Sequence, residues 1–292
     1  MFFFPDQKTP VLFQGITSVM GRYQTQLALA YGTNLVAGVS HEMTGKLEDV
    51  PVYSTVAKAV RAKHPKISVV FSTPQMALAD VLEAIKAKIP LIICTTEHVP
   101  MHDALKMKVA AEKAKVALLG PSSAGILTFN AAITGTMPTS LFKAGDIAVV
   151  GRSSSLIFEA ISQLASYGLG VSKCVSLGAD HLIGTSFVPV VEALNADKNT
   201  KAILLVGQVH GTLEQELAEF YAKKHPKKLF VYIPGKALAR SDKAPLLGMK
   251  SVLFSDVIEE KKNLLTKANA LWIETPDKIG KTIFETLKRK TK

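Results

Sequence analysis

The sequence is poor in several residue types and patterns, and each absence removes a class of protein. Only two cysteines, Cys94 and Cys174, stand in 292 residues. That is too few for a disulfide framework or for a zinc site of four thiolates. A reducing compartment, the cytoplasm, is the expected setting. No stretch approaches the ~18 uninterrupted apolar residues of a membrane span. The longest runs, such as Ala202-Ile-Leu-Leu-Val206, have the length of strands. The opening Met1-Phe-Phe-Phe-Pro-Asp-Gln-Lys8 offers a short apolar run without a basic flank, so no secretory signal is expected. Low-complexity tracts and repeats at solenoid spacing are also missing.

The histidines are His41, His64, His98, His102, His181, His210 and His225. None makes a ligand pair: His98 and His102 are four apart, but Pro100 between them breaks a shared helical face. No metal is therefore expected on this chain. No Gly-x-Ser-x-Gly elbow marks a hydrolase nucleophile. Of the histidines, only His210 follows a buried-type strand, where active-site residues collect. A capping or surface role is the alternative for it.

What is present is a large apolar fraction, 48%, with 20% charged residues. A sizeable core and an ordered chain follow. The length suits two domains at the usual ~150 residues each. The net charge is +11, and residues 221–292 hold 17 basic against 7 acidic side chains. A nucleic-acid or anionic-lipid surface is one reading. Solvated helix faces with a basic tail, Lys288-Arg-Lys-Thr-Lys292, are the other. Lys223, Lys224, Lys227 and Lys228 are not interleaved with stacking aromatics, and arginine is scarce there. Nucleic acid is accordingly not an expected partner.

Short β-branched runs alternate with amphipathic stretches, the mark of parallel sheets covered on both faces. Strands are expected at Pro10–Gln14, Leu35–Val39, Ile67–Phe71, Pro90–Cys94 and Ala117–Gly120. The helices between them are Tyr23–Tyr31, Val56–His64, Met76–Lys88 and Met101–Lys115. Residues 127–143 show no period and read as a crossover. Alternation resumes with strands Asp146–Val150, Lys173–Leu177, Ala202–Val206, Leu229–Ile233, Ser251–Phe254 and Ala270–Ile273. Helices are expected over Leu156–Tyr167, Phe187–Asn195, Leu213–Lys224, Val257–Ala268 and Ile279–Arg289. Two α/β domains result, 1–126 and 146–292, joined by 127–145.

Three strand-to-helix turns carry chemical potential. Gly15-Ile-Thr-Ser-Val-Met-Gly21 follows a strand and precedes a helix, spaced Gly-x-x-Ser-x-x-Gly, with Ser18 where the dinucleotide fingerprint wants a glycine. It fits either a phosphate cradle or a plain turn. Gly151-Arg-Ser-Ser-Ser155 offers N–H groups and the hydroxyls of Ser153, Ser154 and Ser155 to an anion, or simple N-capping. Gly120-Pro-Ser-Ser-Ala-Gly125 shapes a pocket with Ser122 and Ser123 or merely turns the chain.

Taken together, these segments resemble the alpha subunit of succinyl-CoA synthetase and the nucleoside-diphosphate-forming acyl-CoA synthetases. The likeness runs from Val11 to Leu287. It is carried by Gln14-Gly-Ile-Thr17, Leu29-Ala-Tyr-Gly-Thr33, Val36-Ala-Gly-Val39 and Thr95-Thr-Glu-His-Val-Pro100. Further carriers are Gly120-Pro-Ser-Ser-Ala-Gly-Ile126, Gly151-Arg-Ser-Ser-Ser-Leu-Ile-Phe-Glu-Ala160, Tyr167-Gly-Leu-Gly170 and Val206-Gly-Gln-Val-His-Gly211. The resemblance implies a Rossmann-like CoA-binding domain followed by a flavodoxin-like, doubly wound domain. It implies CoA or acyl-CoA as ligand, held around Gly15, Thr17, Ser18, Gly21, Ser40, Thr96 and Glu97. An ATP-grasp beta-type subunit is the implied partner, with a homo-oligomer also open. The family forms an acyl phosphate and then an acyl-CoA through a phosphohistidine that helix N-termini stabilise. Residues 151–155 would supply one of these.

The departures from that pattern matter. Leu246 falls near the phosphohistidine position, in Lys243-Ala-Pro-Leu-Leu-Gly248, and no histidine follows His225. Gln208 takes the place of the glutamate that orients the histidine, and a neutral amide cannot accept in the same way. Met43 stands near a family lysine, and Ser122-Ser123 replace an Asn-Cys pair. The expectation is an alpha-like protein that binds CoA or an acyl-CoA without phosphohistidine-mediated ligation. The alternatives are an active ligase subunit with another phosphoryl route, His210 being its candidate carrier, and a basic non-enzymatic scaffold.

Overall fold

The structure, a computed structural model, describes residues 2–223, 226–235 and 254–288. The first sheet is built from β1 (Val11–Gln14), β2 (Leu35–Val39), β3 (Gly45–Leu47), β4 (Val50–Tyr53), β5 (Ile67–Val70), β6 (Leu91–Cys94) and β7 (Ala117–Leu119). Its order is β3-β4-β2-β1-β5-β6-β7. The helices α1 (Val19–Tyr31), α2 (Val56–Lys63), α3 (Pro74–Lys86) and α4 (Met101–Ala114) connect the parallel strands. β1, β5 and β6 are buried along their whole length, as strands covered on both faces must be. Their polar exceptions satisfy each other: Ser68 Oγ donates to Gln14 Oε1 at 2.7 Å.

Local chemistry sets the helix ends. Ser18 caps α1 by accepting from the Gly21 N–H, and the left-handed Gly32 closes it. The helix therefore begins at Val19, not at the expected Tyr23. Val19 and Tyr23 are both exposed, so the cap and not an apolar face decides the start. Thr55 caps α2 in the same way, and the left-handed His64 ends it. The hairpin β3–β4 lay hidden in the sequence. Its strands are short, β3 is largely exposed, and Glu48 and Asp49, both at positive φ, form its two-residue turn.

The second sheet contains β8 (Gly125–Thr128), β9 (Ala132–Gly135), β10 (Ala144–Gly151), β11 (Val171–Ser176), β12 (Ala202–Val206), β13 (Lys228–Tyr232) and β14 (Leu271–Ile273). Its order is β14-β13-β12-β10-β11-β8-β9. The helices are α5 (Ser154–Ser166), α6 (Phe187–Ala196), α7 (Leu213–Lys223), α8 (Phe254–Lys267) and α9 (Ile279–Lys288). The expected strand Ser251–Phe254 lies outside the described residues, apart from Phe254, which opens α8.

The stretch 127–143 corrects the sequence reading. It is no aperiodic crossover but carries most of an antiparallel hairpin, β8–β9, with β8 also paired antiparallel to β11. Thr, Asn and Gly mask the strands, yet Ile126, Leu127, Ala132 and Ile133 are buried. The Thr33 hydroxyl fixes β9, accepting from the Ile133 N–H at 3.0 Å and donating to its carbonyl at 3.2 Å.

Two compact units result: Met1–Thr139 with Lys173–Ser186, and Ser140–Ser172 with Phe187–Lys292. In the first sheet the chain leaves β1 toward β2 and returns on the other side at β5. In the second it leaves β10 toward β11 and returns at β12. In the first unit this reversal lies at the carboxyl ends of the strands, where ligands of such sheets bind.

Candidate functional site

The first unit holds a cavity at its reversal point. Gln14 at the end of β1 stands in register with Val39 of β2 and Val70 of β5. The segments leaving these three ends line the cavity, among them Gly15, Thr17, Ser18, Ser40, Ser72 and Asp80. Gly15 has φ +69°, and a side chain there would press on the Phe71 backbone at 3.1 Å. Gly21 is tighter still: a Cβ would come 2.2 Å from the Gly15 carbonyl oxygen. The turn thus needs both glycines, and it aims the first turn of α1 at the cavity.

The hydroxyls around it are already ordered. Thr17 Oγ1 and Ser40 Oγ lie 2.8 Å apart, and Ser40 Oγ accepts from the Glu42 N–H at 3.1 Å. Arg22, on α1, donates from Nε to the Thr17 carbonyl at 3.0 Å. Thr96, just past β6, donates to the Ser72 carbonyl at 2.8 Å, and its own carbonyl accepts from Ser122 N. Thr96 and Glu97 are not lining residues, and Glu97 is exposed.

Sequence reasoning missed several members. Gln14 is buried, donating from Nε2 to the Asp80 carbonyl at 3.0 Å. Asp80 lies on the inner face of α3, beside buried Ala77, Val81 and Ala84, and its carboxylate is 3.8 Å from His41 Nε2. Burial lifts the Asp80 carboxyl above its ordinary pKa, partly opposed by the Ser72 hydroxyl and His41. A carboxylate interrupting the apolar face of α3 was the available signal.

In the turn after β7, Ser123 is buried. Its Oγ donates to the Ser176 carbonyl at 2.6 Å and accepts from Gly125 N at 3.0 Å. Ser122 adopts φ +58° and accepts from Ala179 N through its carbonyl.

The second unit gathers its candidates at the ends of β10 and β12, where Gly151 and Val206 are paired. Ser153 caps α5 by accepting from Leu156 N, Ser154 opens the helix, and Ser155 is exposed. Facing this turn across adjacent strands is Gly207–Gly211. Gln208 is half-buried and His210 exposed. The loop is held by a pair absent from the sequence reading, Glu214 and Lys261. Glu214 Oε1 accepts from Gln208 N at 2.8 Å, and Lys261 Nζ donates to the Gln208 carbonyl at 2.9 Å. Leu246, with all of 243–248, lies outside the described residues, as does His225.

Several lysines of the basic segment serve the fold. Lys227 Nζ donates to the Leu194 and Asp197 carbonyls at the C-terminal end of α6, and Lys228 Nζ to the Thr286 carbonyl. Among the described residues no cluster of three or more His, Cys, Asp or Glu could hold a metal. No described helix is long and apolar enough to cross a membrane.

Comparison with known proteins follows this division. Residues 6–98, which contain the whole cavity, match the CoA binding domain model. Residues 144–258 match the succinyl-CoA ligase like flavodoxin domain. The chain is 34% identical to the succinate–CoA ligase [ADP-forming] subunit alpha of Staphylococcus aureus, over 99% of this chain and 96% of that one. It belongs to the succinate–CoA ligase alpha-subunit family. The Aquifex aeolicus alpha subunit is 36% identical, over 97% of this chain and 94% of its own.

Solved structures agree with the family fold. An ATP citrate lyase from Methanothrix soehngenii, solved with citrate and coenzyme A, superposes with TM-score 0.83 at 19% identity. The match covers 99% of this chain, which spans about half, 51%, of that lyase. A dinucleotide forming acetyl-coenzyme A synthetase 1 from Ca. Korarchaeum cryptofilum gives TM-score 0.72 at 16% identity, covering 92% of this chain and 58% of its own. The succinate–CoA ligase alpha fold is therefore a Rossmann-like CoA-binding domain followed by a flavodoxin-like one. The strand order β11-β10-β12-β13-β14 is the flavodoxin arrangement.

Proposed function

We propose that this alpha-family chain binds CoA or a short-chain acyl-CoA in its first unit and operates without a phosphohistidine. The cavity at the end of β1 carries the first half of this reading. The glycine turn and the first turn of α1 would face the diphosphate, with Arg22 beside Thr17 as the neighbouring cation. Thr17, Ser18 and Ser40 would meet the ribose-diphosphate region. Thr96 and Glu97, and beyond them Ser122 and Ser123, would follow the pantetheine arm. The crowding at Gly15 and Gly21 keeps this turn tightly packed, with Gly15 at positive φ.

The second half rests on residue chemistry. No histidine follows His225, and Leu246 stands near the position of the carrier. Leucine offers no atom that can take a phosphoryl group. Gln208 replaces the carboxylate that would hold an imidazole in the productive tautomer. Both halves of that device are gone together, while the α5 N-terminus with Ser153, Ser154 and Ser155 keeps its capacity for an anion. An ATP-grasp beta-type subunit is the proposed partner, in keeping with relatives named as alpha subunits.

Calorimetry with CoA and a short-chain acyl-CoA tests the first half: micromolar binding is expected, and none at millimolar ligand overturns it. Incubation with γ-labelled ATP and a beta subunit tests the second. No acid-labile phosphate is expected on the chain. Label that appears and is lost in His210→Ala would establish a rerouted ligase, for which His210 at the reversal point of the second sheet is the candidate.

A further inference from the structure

A CoA-type nucleotide is a polyanion, and the cavity of the first unit meets it with few fixed positive charges. Among the described residues that line it there is no lysine or arginine. Arg22 stands outside the lining, its Nε bound to the Thr17 carbonyl. The first turn of α1 supplies N–H dipoles, whose effect fades within that turn. The ionisable side chains of the lining are instead two acids, Glu42 and Asp80, and one imidazole, His41.

His41 and Asp80 form a pair in unequal surroundings. His41 Nε2 lies 3.8 Å from Asp80 Oδ1, and the side chains are 59% and 9% exposed. Asp80 is anchored on the inner face of α3, where Gln14 of β1 donates to its carbonyl. Burial raises the Asp80 pKa, so its bare anion is already disfavoured. Glu42, beside His41, adds charge of the same sign as Asp80. Glu83, also on α3, is turned toward α2, its Oε1 accepting from Val56 N. Cys94, at the end of β6, feels the Asp80 charge but stays a neutral thiol, pushed up to about 12 by burial.

An anion entering this cavity makes the Asp80 charge costlier and the imidazolium form of His41 more favourable. Both effects point the same way, toward one more bound proton. We infer that the cavity binds its nucleotide together with a proton, taken up by the His41–Asp80 pair. The proton comes from solvent, and the pair holds it as a unit, on the ring nitrogen or the carboxyl oxygen that face each other. By linkage, a ligand that binds with a proton binds more tightly as pH falls. The inference rests on the reading of the cavity as a CoA-type nucleotide site.

Calorimetric titration of the full chain with CoA, in two buffers of different ionisation heat, counts the protons taken up. About 0.5–1 proton per CoA should enter at about pH 7, and affinity should fall about three- to tenfold per pH unit between about pH 6 and about pH 8. The 3′-phosphate of CoA also titrates in this range, but alike for every variant. His41→Gln and Asp80→Asn should each lower the uptake, and the double variant should leave only the ligand's own contribution. His41→Gln replaces an exposed side chain, so it decides the matter even if Asp80→Asn fails to fold. No uptake by the parent, or the parent's uptake retained in His41→Gln and in the double variant, overturns the inference and leaves the CoA-site reading standing. No binding at millimolar CoA overturns both.

Discussion

Lys261 Nζ lies 2.7 Å from Glu214 Oε2, and the two side chains are 0% and 1% exposed. This buried ion pair joins α7 to α8 and pins the Gln208 loop from both its N–H and its carbonyl. Removing one partner leaves a buried charge without compensation. Lys261→Met or Glu214→Leu alone should each cost about 3–5 kcal/mol in urea denaturation. The double variant should be less destabilised than the sum of the singles. Additive losses would show that the pair contributes nothing specific.

Gly21→Ala should damage the glycine turn after β1. The added Cβ meets the Gly15 carbonyl, a backbone atom that cannot swing aside. A loss of about 1–3 kcal/mol of stability is expected, with nucleotide binding weakened or lost. Wild-type stability and affinity in Gly21→Ala would mean that the turn is roomier than described.

The Asp80 carboxyl gives a pH signature. Burial raises its folded pKa, so the folded chain holds that proton more tightly than the unfolded chain does. Its contribution is most favourable below the unfolded pKa and declines as pH rises through the folded one. Asp80→Asn removes this titration. The stability of Asp80→Asn relative to the parent should therefore improve between about pH 3 and about pH 7. Chemical denaturation at several pH values checks this; a pH-independent difference contradicts it.

Both cysteines should be silent in the native chain. Burial pushes the Cys94 thiol up to about 12, and burial raises that of Cys174 too. Thiolate is the reactive form and neither site is open to solvent. A thiol reagent at about pH 8 should label neither until denaturant is added. Rapid native labelling of either would show local opening of β6 or β11.

Much of the fold was legible because its causes are local. Ile67–Val70 and Leu91–Cys94 announce buried parallel strands by composition, and Gly32 and His64 mark helix ends. The hairpin β8–β9 was not legible, because Thr128, Asn130 and Gly135 look like loop until antiparallel pairing with β11 is known. The site divided in the same way. Gly15 and Ser18 could be named from the spacing after the first strand, Thr17 and Ser40 only from the family resemblance; all four line the cavity. Asp80 left only the trace of a carboxylate among the apolar positions of α3, and His41, in the segment after β2, left none.

The sequence by itself determined the alternation of strands and helices, the glycine turn after β1, the family and the lack of any histidine after His225. These depend on periodicity, capping and residue identity, which act over a few positions. Only the tertiary structure decided that Asp80 reaches the cavity of Gln14 and that Glu214 meets Lys261. Charges far apart in sequence acquire their energetic meaning from burial and partners. Those exist only once the helices have packed onto their sheets.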